Sequence, residues 1–255
     1  MQLIDTHTHL YCSAFNHDRD EMINRSVSAG VVKLLMPNED IESIASLLAA
    51  AEKYKGICYP MIGLHPTSVK ADYQEQLERL ESIASDHKFI AIGEIGIDLH
   101  WDKTFIEEQT EAFCRQVAFA VDSGLPVVIH SRNSIGEVFS VLEKFKGSAL
   151  KGVLHAYSAD LKSAKKAVGM GLMIGIGGPI TYKNSILGSI CKAIGPQHII
   201  LETDSPYLTP VPYRGKRNES SYICIINRKL AEFLEMKEEE TALITYENSC
   251  RLFNL

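Results

Sequence analysis

Histidines and carboxylates that could bind a metal ion recur along the chain, each close behind a short apolar segment. They are His7, His9, His65, Glu94, His130, His155, Glu202 and Asp204. Imidazole and carboxylate groups are the usual protein ligands of divalent transition metals. His7 and His9 are two residues apart, so on an extended chain both project to the same side and could reach one ion. The pattern indicates a metal centre if the fold brings these side chains together.

The number of donors favours two ions over one. Four imidazoles (His7, His9, His130 and His155) with two carboxylates exceed the four ligands of one tetrahedral ion and suit two neighbouring cations that share a carboxylate. Glu94 is the expected bridge because a carboxylate has two oxygens. Taken singly, each residue has a plainer interpretation: a histidine that is only hydrogen-bonded, Glu94 paired with an arginine, or Asp204 capping a helix ahead of Pro206.

The apolar segments are the elements that must position these side chains. Eight of them predict β-strands, at residues 2–4, 31–35, 59–62, 89–92, 126–129, 151–154, 172–176 and 198–201. They start about every 28 residues, which leaves room for one helix and two loops between strands. Amphipathic patterns at 41–51, 77–84 and 113–121 predict helices in those intervals, and six glycines (Gly30, Gly56, Gly124, Gly147, Gly171 and Gly195) mark expected helix ends.

Eight such units predict an α/β fold, a (β/α)8 TIM barrel of the metallo-dependent hydrolase type, as a single domain over residues 1–255. In this fold the loops at the carboxyl ends of the strands build the active site, which is where the candidate ligands lie. No further barrel strand is expected after Asp204. The remainder predicts a substrate loop at 206–218 and two closing helices, at about 219–234 and 237–252.

Composition excludes several classes of protein. The chain has 255 residues, 45% of them hydrophobic, and a net charge of −6, which is unlike disordered, collagen-like or coiled-coil sequences. No global positive field attracts polyanions, so phosphate binding would need a local basic patch or bound metal. The six cysteines form no C-x-x-C pair, which argues against a sulfur-ligated zinc site and favours reduced thiols. Without a basic and apolar leader or an apolar run of ~18 residues, we expect a cytoplasmic protein with no membrane contact.

Eight segments together resemble the TatD family of metal-dependent deoxyribonucleases, a branch of the barrel metallohydrolases. They are 5–10 (DTHTHL), 63–66 (GLHP), 92–98 (IGEIGID), 128–132 (VIHSR), 152–158 (GVLHAYS), 175–178 (GIGG), 201–208 (LETDSPYL) and 214–219 (RGKRNE). The first is common on its own, but the set in this order is specific and spans almost the whole chain. One departure is Ser220, where the family usually has proline, which puts the stiffness of that loop in doubt.

The resemblance implies two divalent cations per chain, of magnesium, manganese or zinc. It implies that His7, His9, Glu94 and Asp204 hold one ion, while Glu94, His130 and His155 hold the other. It further implies hydrolysis of DNA phosphodiester bonds by a metal-activated water, as an exonuclease, with Asp204 and Glu94 as the catalytic carboxylates.

Basic residues near the barrel mouth are candidates for substrate binding. Arg214, Lys216 and Arg217 follow the metal-bearing segment, and Arg132 and His65 stand at other strand ends. Such side chains would neutralise phosphates without reading bases. Four aromatic residues, Trp101, Tyr157, Tyr207 and Tyr213, could stack on bases or simply pack. The expected partner is DNA, as single strands or frayed ends, and no protein partner can be deduced.

Two other functions remain open. An amidohydrolase or lactonase acting on a small cyclic ester or amide also places an H-x-H pair after strand one and an aspartate after strand eight, but it commonly uses a carboxylated lysine where this chain has Glu94. A metal-stabilised nucleic-acid-binding scaffold without turnover is the third reading. It fits less well because structural ions are usually enclosed by protein ligands, and these residues surround an open mouth.

Overall fold

The computed structural model describes all 255 residues, in which eight parallel strands alternate with helices. The strands are β1 (Leu3–Asp5), β2 (Val31–Pro37), β3 (Cys58–Met61), β4 (Ile92–Asp98), β5 (Val127–Arg132), β6 (Gly152–Leu154), β7 (Leu172–Ile176) and β8 (Ile199–Leu201). The helices are α1 (Arg19–Ser28), α2 (Ile44–Lys53), α3 (Tyr73–Asp86), α4 (Ile106–Ser123), α5 (Ile135–Leu142), α6 (Leu161–Gly169), α7 (Leu187–Ile194), α8 (Ile223–Leu234) and α9 (Glu238–Phe253).

The strands follow one another in chain order around a barrel. Hydrogen-bond ladders join β1 to β3 and β4 to β8, and every pair is parallel. Two short seams connect these sheets: Ile62 pairs with Ile92 between β3 and β4, and Thr8 pairs with Ser205 beyond β1 and β8. The predicted (β/α)8 barrel is confirmed, with the carboxyl ends of all strands at one face.

The barrel interior is apolar and closed at its amino-terminal end. Side chains from seven strands or their entrances form one buried cluster: Ile4, Leu35, Met61, Ala91, Val128, Val153 and Ile200. Leu252 and Phe253 at the end of α9 join this cluster, so the last helix covers the base of the barrel. A larger cluster packs between the strands and the outer helices. Polar groups are therefore confined to the opposite end, where the candidate ligands lie.

The fourth strand departs from the sequence prediction. It was expected at 89–92 but spans Ile92–Asp98, so Glu94 lies within the strand and not behind it. Gly93 and Gly96 lie within this longer strand. In the structure they permit close packing on β5, because a Cβ on Gly93 would lie 2.6 Å from Val128 Cβ and one on Gly96 would overlap the carbonyl oxygen of His130.

The fifth strand, expected at 126–129, likewise continues to Arg132, so that His130 lies within it. The glycine and tail signals agree with the structure. All six glycines predicted at helix ends have positive φ, between 67° and 94°. The tail forms α8 and α9, close to the two closing helices expected there. All six cysteines are free, with Cys58 and Cys191 buried and the others partly buried. No helix combines the length and apolar character needed to cross a bilayer.

Candidate metal centre

His7 and His9 lie just beyond β1 and face the same side. The residue between them, Thr8, pairs with Ser205 through both backbone and side chain, with 2.7 Å between the two hydroxyl oxygens. Because this pairing keeps the segment extended, the neighbouring imidazoles project together, and their Nε2 atoms are 3.2 Å apart. The same-side placement predicted from their spacing is confirmed.

Asp5 ties together the two segments that carry ligands at this side of the barrel. Its buried carboxylate accepts hydrogen bonds from the backbone N–H of His7 at 3.3 Å and of Thr203 at 2.9 Å, and from the Thr203 hydroxyl at 2.6 Å. Burial raises the pKa of Asp5 to about 7, although these hydrogen bonds act in the opposite direction. The carboxylate thereby holds the ends of β1 and β8 in a common register.

Glu94 occupies the middle of the cluster, and its two oxygens face different histidines. Oε2 lies 3.1 Å from His7 Nε2 and 3.9 Å from His9 Nε2. Oε1 lies 2.8 Å from His130 Nδ1, 3.5 Å from His65 Nε2 and 3.8 Å from His155 Nε2. Each oxygen therefore belongs to its own set of nitrogens, which is the geometry expected of a carboxylate shared by two cations.

Asp204 completes the cluster from the end of β8. Its Oδ1 lies 3.6 Å from His9 Nε2 and 3.8 Å from both His7 Nε2 and His155 Nε2. The residue has a φ of 56°, a left-handed conformation that aspartate tolerates better than most residues. Its backbone N–H donates to the carbonyl oxygen of His7 at 2.9 Å, so this conformation is held by a bond to the opposite ligand segment.

The donors form three overlapping triads, and within each triad the ligand atoms are close enough together to hold one ion. The triads are His7, His9 and Glu94; His7, His155 and Asp204; and His65, Glu94 and His130. All six residues predicted as metal ligands meet in this one cluster. The nitrogen and carboxylate donors, largely buried and crowded around Glu94, are chemically suited to divalent cations. His65, which was expected to bind substrate, lies within the same donor set. It could serve either purpose from this position.

Two carboxylates outside the six predicted ligands, Asp98 and Glu202, orient the histidines. Asp98 Oδ2 lies 2.9 Å from His130 Nε2, and Glu202 Oε2 lies 3.0 Å from His155 Nδ1. In metal sites such contacts select the tautomer that presents the other ring nitrogen to the ion. The signal was available for Asp98, because it stands four residues after Glu94 on one strand and alternation places both on one face.

The charges of the metal-free cluster stabilise one another. Burial lowers the pKa of His155, but Glu202 and Glu94 outweigh this effect and raise it to about 10. Burial likewise opposes ionisation of Glu94, yet the surrounding imidazoles, His155 and His65 first, hold its pKa well below the usual range. Burial and the nearby His155 lower the pKa of His7. The carboxylates thus favour the charged form of His155, and the imidazoles favour the charged form of Glu94.

The predicted substrate-binding cations differ in whether a carboxylate of the protein already binds them. Arg217 is engaged by Asp18, through contacts of 2.7 Å and 2.6 Å, and also donates to the carbonyl oxygen of Ala14. It therefore fastens the 206–218 loop to the start of α1, and is not a free cation. Glu219 adds a second link to α1, 2.7 Å from Arg25, which anchors the loop just ahead of Ser220.

The other three cations have no carboxylate partner within 4.0 Å and lie over aromatic rings. Arg214 lies 4.3 Å from the ring centre of Tyr182, Arg132 lies 5.1 Å from that of Trp101, and Lys216 lies 5.8 Å from that of Tyr213. Of the aromatic candidates, Trp101 and Tyr207 are exposed, Tyr157 is buried, and Tyr213 stacks on Tyr222.

The chain is similar to known proteins in both sequence and structure. A family model described as TatD related DNase matches residues 4–254. An uncharacterized metal-dependent hydrolase of Bacillus subtilis, YabD, is 35% identical, with 99% of each chain covered. A protein of Cronobacter sakazakii named as a 3'-5' ssDNA/RNA exonuclease is 29% identical, with 98% of this chain and 97% of that protein covered. The crystal structure of YjjV, a TatD homologue from Escherichia coli, superposes with a TM-score of 0.93 at 30% identity and covers 99% of this chain and 98% of its own.

Proposed function

Because this chain belongs to the TatD-related DNase family and is a metal-dependent hydrolase, we propose that it is an exonuclease that cleaves phosphodiester bonds of single-stranded or frayed DNA. We propose that residues 1–255 act as one barrel domain with two divalent cations at its mouth. Relatives named as ssDNA/RNA exonucleases support a nucleic-acid substrate, and they make RNA the first alternative to test.

The position of Glu94 carries the proposal. Its oxygens lie 3.1 Å from His7 and 2.8 Å from His130, on two sides of one carboxylate. When bound, a pair of divalent cations acidifies water and neutralises the phosphoryl oxygens of a phosphodiester. His7, His9 and Asp204 would hold one cation, and His130 and His155 the other, with Glu94 shared between them.

Asp204 is the residue placed to act as a general base. Burial opposes its ionisation, but the nearby imidazoles of His9, His155 and His7 keep the pKa of Asp204 below its usual value. Its Oδ1 is therefore a charged acceptor at neutral pH, close to three imidazoles, and can take a proton from an attacking water. Phosphates of the strand would be bound by three cations without carboxylate partners, Arg132, Arg214 and Lys216.

The lactonase or amidohydrolase alternative is less well supported by the residues. The shared ligand is a glutamate, Glu94, and not a lysine that could be carboxylated. Three unpaired cations at or near the mouth also suit an anionic polymer better than a neutral cyclic ester. A scaffold without turnover is also less well supported, because it would not need a charged proton acceptor such as Asp204.

The test is turnover after metal reconstitution. Metal-depleted protein would be loaded with magnesium, manganese or zinc and given single-stranded DNA labelled at either end, duplex DNA, single-stranded RNA, and panels of lactones and amides. We expect stepwise loss of nucleotides from one end of single strands and slower attack on duplexes. Faster turnover of a lactone or amide, or no nucleic-acid cleavage with any of the metals, would overturn the proposal.

A further inference from the structure

A cavity of about 410 Å³ opens between the loops that follow β6 and β7 and the 206–218 loop. Its lining includes Tyr157, Ser158, Tyr182, Lys183, Asn184 and Arg214. The candidate ligand His155 also follows β6, so the cavity and the metal centre lie at the same face of the barrel. A strand with one phosphodiester at the metal centre could extend into this space.

The cavity is positively charged. Lys183 and Arg214 are both exposed, and neither has a carboxylate within 4.0 Å. No aspartate or glutamate contributes to its lining. In a chain with a net charge of −6, two unpaired cations in one concave surface form a local site for anions.

A second cavity, of about 370 Å³, is lined by Asp98, Asp102, Trp101 and Lys70 among others. Both carboxylates are already paired, because Lys70 lies 3.8 Å from Asp102 and Asp98 lies 2.9 Å from His130. The first cavity differs from this one because its lining has two cations without carboxylate partners and no carboxylate of its own.

Arg214 is positioned by an aromatic ring and not by a carboxylate. Its guanidinium lies 4.3 Å from the ring centre of Tyr182, and the Tyr182 hydroxyl in turn donates to the carbonyl oxygen of Thr209 at 3.0 Å. Stacking on an aromatic ring fixes the position of an arginine while leaving N–H groups for a phosphate.

We propose that this cavity is a subsite for a backbone phosphate next to the scissile one in a nucleic-acid strand, bound by Arg214 and Lys183. The inference rests on the proposed function and adds a substrate preference to it. Contacts to phosphate carry no base information, so the subsite favours oligonucleotides over isolated phosphodiesters without selecting a sequence.

The test compares a double variant, Lys183→Ala with Arg214→Ala, with a control of equal charge change, Arg79→Ala with Lys165→Ala, at two exposed positions on outer helices. Binding of a fluorescent oligothymidylate would be measured by anisotropy in EDTA, which prevents turnover, over a range of salt concentrations. Hydrolysis of the same oligonucleotide and of bis(4-nitrophenyl) phosphate would be measured with manganese.

We expect the cavity variant to bind the oligonucleotide roughly 100-fold more weakly, at about tenfold per lost cation. The slope of log K against log salt should fall by about 1.4, since each phosphate contact on a single strand contributes ~0.7. The ratio of kcat/KM for the oligonucleotide over the small diester should fall by a similar factor, Arg214→Lys should recover part of the loss, and the control pair should match wild type.

Wild-type affinity and an unchanged ratio in the cavity variant would overturn the subsite. Equal losses in both pairs would do the same, because they would show only a general effect of net charge. If wild-type protein binds the oligonucleotide but hydrolyses neither substrate, the proposed nuclease function fails while the binding comparison still judges the subsite. If wild type does not bind the oligonucleotide, both fail.

Discussion

Replacing Glu202 by glutamine should weaken metal binding although this residue touches no ion. Glu202 accepts two hydrogen bonds, from the backbone N–H of Ala156 at 2.6 Å and from His155 Nδ1 at 3.0 Å. Glutamine has almost the same shape but only one acceptor oxygen. If that oxygen stays on Ala156, the new amide NH2 faces His155 Nδ1, and in the flipped orientation two N–H donors confront each other at Ala156.

The first orientation changes the tautomer of the imidazole. An NH2 group donating to Nδ1 leaves the proton on Nε2, and Nε2 is the atom that faces Glu94 and Asp204, 3.8 Å from a carboxylate oxygen of each. A protonated Nε2 has no lone pair for a cation. Changes in such orienting groups typically reduce metal affinity by about 10- to 100-fold, which is about 1.4 to 2.8 kcal/mol.

The assay is competition for zinc or manganese against a chromophoric chelator, with Glu247→Gln on the exposed face of α9 as the control. Thermal unfolding of the metal-free forms shows whether the fold is intact. We predict a weaker site in Glu202→Gln and wild-type affinity in the control. A folded Glu202→Gln protein that binds metal within about twofold of wild type would refute the tautomer argument.

Four further predictions concern the site and the barrel that carries it. Asp204→Asn should weaken binding of the cation held with His7 and His9, and at metal concentrations that restore full occupancy it should still lose about 10²- to 10⁴-fold in kcat on single-stranded DNA; an unchanged kcat would remove Asp204 from proton transfer. Burial lowers the pKa values of His130 and His155, but their carboxylate partners raise them to about 9 and about 10. Metal binding at pH 7 should therefore release roughly two protons, measured by calorimetry in buffers of different ionisation enthalpy. Metal binding without proton release would contradict the role of these two histidines as ligands. The two protonated histidines stabilise the metal-depleted fold fully below pH 6.5, and this contribution is lost as pH rises through their raised pKa values. The Tm of metal-depleted protein should therefore decline towards pH 10, and a Tm that does not change with pH would contradict the raised pKa values. Leu35→Ala in the barrel interior should cost about 2–5 kcal/mol of unfolding free energy by urea titration, whereas Leu243→Ala, which is 56% exposed, should cost far less; equal costs would contradict the packing described.

Much of the fold was predictable because its signals are local. A strand buried on both faces is a short apolar run, and a helix end with positive φ favours glycine, so both are visible within a few residues of sequence. Glu94 shows the limit of such signals. The apolar run that predicts the fourth strand ends at Ile92, and only the close packing on β5 explains why the strand continues through Gly93 and Gly96.

The ligand set was predictable because barrel topology brings all strand ends to one face. The contacts that modify those residues depend on distances between segments remote in sequence. Arg217 reads as a free cation until Asp18, 199 residues away, is seen to bind it. The proximity of His65 to Glu94 and the contact of Glu202 with His155 likewise depend on how neighbouring strands are staggered, which periodicity does not determine.

The most direct test of a two-cation nuclease is to follow cleavage and metal content together. Metal-depleted protein would be titrated with manganese, and each sample would be divided between an assay on end-labelled single-stranded DNA and elemental analysis of the protein-bound metal. We predict that cleavage reaches its maximum as the second ion binds each chain, and that Glu94→Gln neither retains two ions nor cleaves DNA. Full activity with a single bound ion, or two tightly bound ions without DNA cleavage, would contradict the two-cation nuclease proposed for this protein.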